Sequence, residues 1–255
     1  MCNFFVLLII VAAIVTTVLA TDYCSPKICG DGVKHIACGH SGNFAASCPK
    51  DAALVHFDDK LKDVAVKAHN VKRNFIAGGG DGKHSPACRM ATMEWDDELA
   101  AIAELNVKQC TMAHDKCRNT DAFSYAGQNL AWLGYMGQES DASMLQQAVD
   151  MWYSEIDDCK LEYIKAYPPN YKGPAIGHFT VMVTDRNIRV GCAAATYSEV
   201  VDDFIAFSVA CNYATTNLIY YPVYASCIKA ATSCTTGVNP IYPNLCSTAE
   251  VYDLK

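Results

Sequence analysis

The chain of 255 residues contains 14 cysteines and carries a formal net charge of −7 at pH 7. An acidic chain is not attracted to nucleic acid or to an anionic membrane surface, which excludes both as partners bound by charge. The cysteine density indicates a disulfide framework and therefore an oxidising compartment.

The first 20 residues form an apolar run that ends in Val18, Leu19 and Ala20. The segment TDYCSPKIC follows, where a membrane anchor would have a basic stop-transfer cluster. The pattern favours a signal peptide, residues 1–20, and predicts a secreted, extracellular protein with no membrane span after cleavage. Cys2 falls in this leader, so 13 of the 14 cysteines remain, and at least one thiol is free or pairs with another molecule.

Residues 21–55 contain four cysteines among glycine, proline and serine, which predicts a cysteine-rich N-terminal extension. A first helix is predicted to begin near Phe57 and to end at the glycines 78–80, because apolar residues recur at three- and four-residue steps. We expect His69 on the surface of this helix. The residues expected to form one buried stripe are Leu61, Val64, Ala65, Ala68, Val71 and Phe75.

Two further helices are predicted from WDDELAAIAELNVKQC and SDASMLQQAVDMWYSEIDDC. The first begins with three acidic residues, which a helix N-terminus favours, and both have one apolar side. The residues expected on the apolar side of the first are Leu99, Ile102, Ala103 and Leu105. Those expected on the core side of the second are Met144, Ala148, Met151, Trp152 and Ile156.

The second half of the chain changes character after Pro168 and Pro169. GHFTVMVT, RVGCAAATY and DFIAFSVACNYA are predicted to be three short strands of an antiparallel meander. Helices followed by a short sheet indicate an α+β layer structure. The remainder of the chain returns to loops that contain further cysteines.

Two polar residues stand out against this apolar background. Glu155 shares the inward face of its helix, where a carboxylate is costly unless paired, although helix phase also allows it to reach solvent at the edge of the stripe. His178 begins the GHFTVMVT segment, where a structural histidine is the alternative interpretation. His114 lies between Cys110 and Cys117 and is expected to be held rigidly. No HExxH metal motif and no G-x-S-x-G nucleophile motif occurs.

Seven separated phrases nevertheless fit one family in order: AHNVKR, MEWDDELA, HDKCRN, GQNL, MWYSEI, GHFTVMV and CNYA. Together they resemble the CAP superfamily, which comprises cysteine-rich secretory proteins, antigen 5 and pathogenesis-related 1. The YCSPKIC and VNPIYPNLC segments near the two ends resemble insect antigen 5 proteins, most closely the dipteran ones. The resemblance covers about residues 22–250.

The resemblance implies a three-layer α-β-α sandwich with a small antiparallel sheet and disulfide-pinned extensions at both ends. The implied CAP domain is residues 56–216 and the implied C-terminal extension is residues 217–255. Four residues would line a central cleft: His114, Gln128, Glu155 and His178. Gln128 stands where many family members have Glu, and the phrase that begins at Gly177 has Val181 where the family has Gln and Thr184 where it has Trp.

In such a cleft, two neutral imidazoles and a carboxylate leave coordination positions open, which suits Zn²⁺ or Cu²⁺. His114 and His178 are the candidate metal ligands, and no cofactor is expected to be obligatory. The alternative is a purely structural cluster whose polar groups hydrogen-bond to water.

The resemblance also implies a disulfide pattern. Cys88, Cys159 and Cys227 fall outside it, and one pair among these three would leave the odd thiol. The implied pairs are Cys24–Cys38, Cys29–Cys117, Cys48–Cys110, Cys192–Cys211 and Cys234–Cys246.

The leading functional hypothesis is a secreted, non-enzymatic binding or scaffold protein of the antigen 5 type, which binds a lipid or other small apolar ligand or an extracellular protein. The alternative is a hydrolase that uses metal-bound water, with Glu155 as base and His114 and His178 as ligands. A third is host or tissue interaction in a secreted fluid. The candidates for the walls of a ligand channel are Leu61, Val64, Ala68, Val71, Met144, Ala148 and Met151.

Overall fold

A computed structural model describes residues 21–199 and 204–254 of the chain. The predicted signal peptide lies outside these described residues. The helices are α1 (Pro26–Cys29), α2 (Asp59–Ala77), α3 (Asp97–Val107), α4 (Asp141–Ser154), α5 (Leu161–Lys165) and α6 (Gly177–Val183), with a 3₁₀ turn at Glu155–Asp157. The strands are β1 (Ala53–Leu54), β2 (Glu94–Trp95), β3 (Gly127–Tyr135), β4 (Arg189–Glu199) and β5 (Phe204–Tyr213).

The sheet has the order β1-β4-β5-β3, and each of these neighbours is antiparallel. The short β2 adds to β4 in the parallel direction. Cys192 lies opposite Cys211 in the β4–β5 register, and Gln128 lies opposite Asn212 in the β3–β5 register. The sheet therefore carries Gln128 at a fixed place in its last strand.

Helices cover both faces of this sheet. Helices α2, α4 and α6 pack together on one face, where Ala194 of β4 joins the main core, and α3 packs on the other, against Ala193 and Ala195. Alternate residues of a strand point to opposite faces, so β4 contributes to both cores. The predicted three-layer α-β-α fold is confirmed.

The three long helices begin where the sequence predicts. The side chains of Asp58, Asp96 and Ser140 each accept a hydrogen bond from a backbone N–H of the first turn of α2, α3 and α4. Such N-caps satisfy donors that the helix itself leaves without partners. Gly78 ends α2, as expected.

The predicted buried stripe of α2 is wrong in its second half. Val71 and Phe75 are 49% and 48% exposed, and Met151 of α4 is also on the outside, 42% exposed. The residues that α2 buries there are polar: His69 and Arg73 are fully buried. The prediction from helix periodicity considered apolar residues only. It therefore assigned the wrong residues to the buried face in the second half of α2.

These polar side chains are buried because each has hydrogen-bond partners in the core. The ring of His69 bonds through Nδ1 to the Ala65 carbonyl oxygen at 2.7 Å and through Nε2 to the Tyr213 hydroxyl at 2.9 Å. Arg73 donates five hydrogen bonds to the carbonyl oxygens of Ala91, Met182, Thr184 and Asp185. The prediction that His69 lies on the helix surface is therefore wrong.

The segment 177–183 is a helix, which corrects the prediction of a strand. All residues from Phe179 to Val183 are buried, so the apparent alternation did not separate an inner from an outer face. Side chains from other parts of the chain form hydrogen bonds with the backbone groups at both ends of this short helix. Glu155 accepts the N–H groups of His178 and Phe179 at one end, and Arg73 donates to the carbonyl oxygen of Met182 at the other. The third long strand of the sheet is β3 instead.

Six disulfides join described residues, and all five pairs that the resemblance implies are among them. The sixth joins Cys88 to Cys227. Cys159 is the free cysteine of the described residues, and it is buried. No helix in the described ranges is long and apolar enough to cross a membrane. The boundaries at residues 56 and 217 stay predictions.

Candidate functional site

A cavity of about 390 Å³ opens where β3, α6 and the loop that follows α3 meet. Three of the four predicted cleft residues line it, namely His114, Gln128 and His178, while Glu155 lies behind His178 and is hydrogen-bonded to it. The structure thus brings the four residues together. The other lining residues are Arg118, Asn129, Ala175, Gly177, Val181, Thr216 and Asn217.

His178 is held by Glu155 at the end of α4. The Glu155 carboxylate accepts a hydrogen bond from Nδ1 of His178 at 2.6 Å through Oε1, and two backbone N–H groups of α6 through Oε2. The His178 ring also stacks on Trp152, with ring centroids 6.3 Å apart. The Glu155 side chain is 12% exposed and that of His178 is 32% exposed. Glu155 is therefore turned inward, and the imidazole reaches the cavity.

His114 enters the cavity from a loop fixed on both sides. Cys110 and Cys117 are disulfide-bonded to Cys48 and Cys29 of the N-terminal segment. Nδ1 of His114 lies 2.8 Å from Oε1 of Gln128, a buried residue of β3. His114 itself is exposed, so its ring is both anchored and accessible.

The hydrogen bonds determine which nitrogen of each ring is free. A carboxylate oxygen and an amide oxygen can only accept, so Nδ1 carries the proton in His114 and in His178. The lone pair of each neutral ring is then on Nε2, and neither Nε2 makes a hydrogen bond with another described residue. An imidazole whose other N–H is bound to an oxygen is the usual form of a metal-ligating histidine, so this donor set fits Zn²⁺ or Cu²⁺.

A second group of potential ligands lies at the N-terminal segment. Ligand atoms of Cys29, His35 and Cys117 are within 4.8 Å of one another, and they form the only such group of three within the described ranges. Cys29 and Cys117 are joined as a disulfide, so neither sulfur is a thiolate that could bind a metal. This group is therefore not a metal site. The cleft would offer a metal the two imidazoles of His114 and His178, and water molecules would complete its coordination.

The predicted channel candidates do not line one cavity. Leu61, Ala68, Met144 and Ala148 are packed in the main core, and Val71 and Met151 are exposed. A pocket of about 220 Å³ at the start of α2 includes Leu61 and Val64, but most of its other lining residues are charged or polar.

Sequence reasoning missed two asparagines of the cleft. Asn129 is 1% exposed and donates from Nδ2 to the carbonyl oxygen of His178, and Asn217 donates to that of Gly177. Both side chains hold the first turn of α6 in place. The sequence could have indicated Asn129, because it follows Gln128 in the GQNL phrase. No motif in the sequence indicates Asn217.

Comparison with known proteins gives one consistent result. The family model described as CAP, the cysteine-rich secretory protein family, matches residues 66–213. The chain is 40% identical over 244 residues to Venom allergen-1 of Aedes aegypti, covering 94% of this chain and 93% of that protein. It is also 40% identical over 200 residues to the antigen 5-like allergen Cul n 1 of Culicoides nubeculosus, covering 75% of this chain and 90% of that one.

Among solved structures, the fold is similar to that of NaASP2 with Zn²⁺. The TM-score is 0.61 at 23% identity, and the match covers 78% of this chain and 100% of that chain. At this identity the likeness shows the shared fold.

Proposed function

The chain belongs to the cysteine-rich secretory protein (CAP) family, and from this premise we propose that it is a secreted, non-enzymatic binding protein whose cleft binds a divalent metal ion. His114 and His178 would hold the metal, with Zn²⁺ or Cu²⁺ as the candidates. The metal would provide a polar contact point at the surface for an extracellular partner.

One observation carries the proposal. Two imidazoles from distant parts of the chain line the same cavity, and each has its Nδ1 bound to a fixed oxygen. A purely structural histidine usually uses both nitrogens within the protein, as His69 does. The two cleft rings instead leave Nε2 for a ligand.

Secretion is supported by the covalent framework. Six disulfides within the described residues would not persist in a reducing cytosol. The apolar first 20 residues and the venom and allergen proteins among the relatives agree with this interpretation.

The alternative of a metal-dependent hydrolase has weaker support. A general base needs a carboxylate oxygen that is free to take a proton from water. Both oxygens of Glu155 already accept hydrogen bonds, from the His178 ring and from two backbone N–H groups of α6. Gln128, which also lines the cleft, is an amide and cannot act as a base. A small apolar ligand is also less favoured, because most of the channel candidates are packed in the core.

Isothermal titration of the mature chain with Zn²⁺ and with Cu²⁺ tests the proposal. We expect one site per chain, and about a 10-fold or greater loss of affinity in His114→Ala and in His178→Ala. His56→Ala is the matched control, because His56 is an exposed histidine in a different pocket. The proposal fails if the wild-type chain binds neither metal, or if both cleft variants bind as tightly as the control.

A further inference from the structure

We propose that Asp115 is a positioning residue of the cleft, which acts through Gln128 to keep the proton of His114 on Nδ1 and the lone pair on Nε2. This inference rests on the proposed metal-binding function. It adds a residue that does not line the cavity and that the sequence did not indicate.

The side-chain amide of Gln128 is held on both of its ends. Nε2 donates to Oδ2 of Asp115 at 2.8 Å and to Oδ1 of Asn212 at 2.9 Å, and Oε1 faces Nδ1 of His114 at 2.8 Å. Gln128 is 6% exposed and Asn212 is fully buried, so the bonds of the Gln128 NH₂ group lie inside the protein.

The orientation of this amide follows from the chemistry of its neighbours. Asp115 is a carboxylate and can only accept, so it must face the NH₂ end of Gln128. Asn212 donates its own NH₂ to the carbonyl oxygen of Leu99 at 3.1 Å, so its oxygen must also face that end. The amide oxygen of Gln128 is left for His114, whose Nδ1 must then donate.

Both oxygens of Asp115 also accept hydrogen bonds from donors other than Gln128. Its side chain is 4% exposed, Oδ1 accepts from Nε of Arg118 at 2.7 Å, and Oδ2 also accepts from Nδ2 of Asn106 at 2.9 Å. A buried charge needs such partners. The carboxylate therefore has a fixed position from which it orients Gln128.

This arrangement accounts for Gln at position 128, where many members of the family have Glu. A carboxylate at 128 would place acceptor against acceptor at Asp115 and again at Asn212. In this chain the carboxylate, Asp115, does not bond to the imidazole directly. It bonds to the Gln128 amide, and the oxygen of that amide accepts from His114.

The test uses an isosteric exchange of the two side chains. In Asp115→Asn, one oxygen is left where two now accept from Arg118, Asn106 and Gln128. With this oxygen on Arg118, the new NH₂ faces the NH₂ groups of Gln128 and Asn106. We expect Gln128 to turn its oxygen toward residue 115 and away from His114, with loss of its bond to Asn212, and the proton of His114 to move to Nε2. Adding Gln128→Glu to Asp115→Asn gives the new NH₂ an acceptor and gives His114 an acceptor in either orientation of the side chain, which restores Nδ1–H. The acceptor–acceptor contact with Asn212 remains in this double variant.

The first readout is the ¹⁵N NMR signals of the His114 ring in the metal-free chain at mildly alkaline pH. We expect a protonated Nδ1 in the wild type and in the double variant, and a protonated Nε2 in Asp115→Asn. The second is Zn²⁺ affinity, expected to fall about 10-fold or more in Asp115→Asn and to recover in the double variant. Asp121→Asn is the control, an exposed aspartate near the same loop.

The two readouts separate the possible failures. If His114 carries its proton on Nε2 in the wild type, or keeps it on Nδ1 in Asp115→Asn, the positioning role is refuted whatever the metal does. If the proton moves to Nε2 in Asp115→Asn but does not return to Nδ1 in the double variant, the shift comes from the lost contacts to Arg118 and Asn106, which also refutes the role. If the proton moves as expected but no variant binds metal, the positioning role stands and the proposed function fails.

Discussion

The carboxylate of Glu155 bonds to His178 twice, through Oε1 to the ring Nδ1 at 2.6 Å and through Oε2 to the backbone N–H at 2.8 Å. The same Oε2 accepts the N–H of Phe179 at 3.0 Å. One side chain at the end of α4 therefore caps α6 and orients the histidine that α6 presents to the cleft. The stability of the helix and the geometry of the site depend on the same contact.

Glu155→Gln is expected to lower the free energy of unfolding by about 1–3 kcal/mol, because an amide has one acceptor oxygen for the groups that two oxygens now serve. Its NH₂ would also face Nδ1 of His178. Urea unfolding of the variant beside Glu162→Gln, a change at an exposed glutamate of α5, measures the effect. Equal unfolding midpoints for the two variants would contradict this role.

Arg73→Lys tests the buried face of α2. Arginine donates five hydrogen bonds to four carbonyl oxygens, whereas a lysine ammonium has three donors and lacks the planar fork. With at least two bonds lost, we expect a destabilisation of about 3 kcal/mol. The half-buried Arg186→Lys serves as control and is expected to change stability little. If Arg73→Lys lowers the free energy of unfolding no more than Arg186→Lys does, the five hydrogen bonds of Arg73 do not stabilise the fold as we expect.

The sequence is sufficient to predict the layers of this fold but not the faces of every element. Asp58, Asp96 and the glycines at 78–80 bound their helices by local chemistry, and β4 and β5 follow from their composition. Helix α6 depends on Glu155 and Arg73, which are distant in sequence, so local alternation misassigned it. The buried side of α2 is polar for the same reason, since the His69 ring meets the Tyr213 hydroxyl and the Arg73 guanidinium meets its carbonyl partners only in the folded core.

The candidate site was predictable to a similar extent. His114, Gln128, Glu155 and His178 follow from the order of motifs in the family, and the structure brings them together around one cavity. The role of Asp115 was not predictable, because it depends on how the Gln128 amide turns between β3 and the preceding loop. Spacing along the chain does not determine that orientation.

The buried His69 predicts a loss of stability in mild acid. Burial lowers its pKa from 6.5 to about 4 in the folded chain. Between these values the unfolded chain binds a proton that the folded chain does not, so lowering the pH across this window favours unfolding, by about 3 kcal/mol in total. His69→Gln removes the titrating group, and urea unfolding at pH 7 and near pH 4 should show a smaller loss for the variant. Identical losses would mean that other groups cause the acid sensitivity.

The free cysteine is expected to be inert in the folded protein. Burial raises the pKa of the Cys159 thiol to about 12, which leaves almost no reactive thiolate at neutral pH. For the chain without residues 1–20, iodoacetamide should therefore add nothing to the native protein and one adduct after denaturation without reductant, as measured by intact mass. An adduct on the native protein, or none after denaturation, would contradict this assignment.

The most direct measurement is a crystal structure of the mature chain grown with Zn²⁺, with anomalous diffraction data collected on both sides of the zinc absorption edge. We expect one strong anomalous peak in the cleft, about 2.0–2.1 Å from Nε2 of His114 and of His178. A cleft without an anomalous peak, or a peak bound to only one of the two rings, would contradict this expectation.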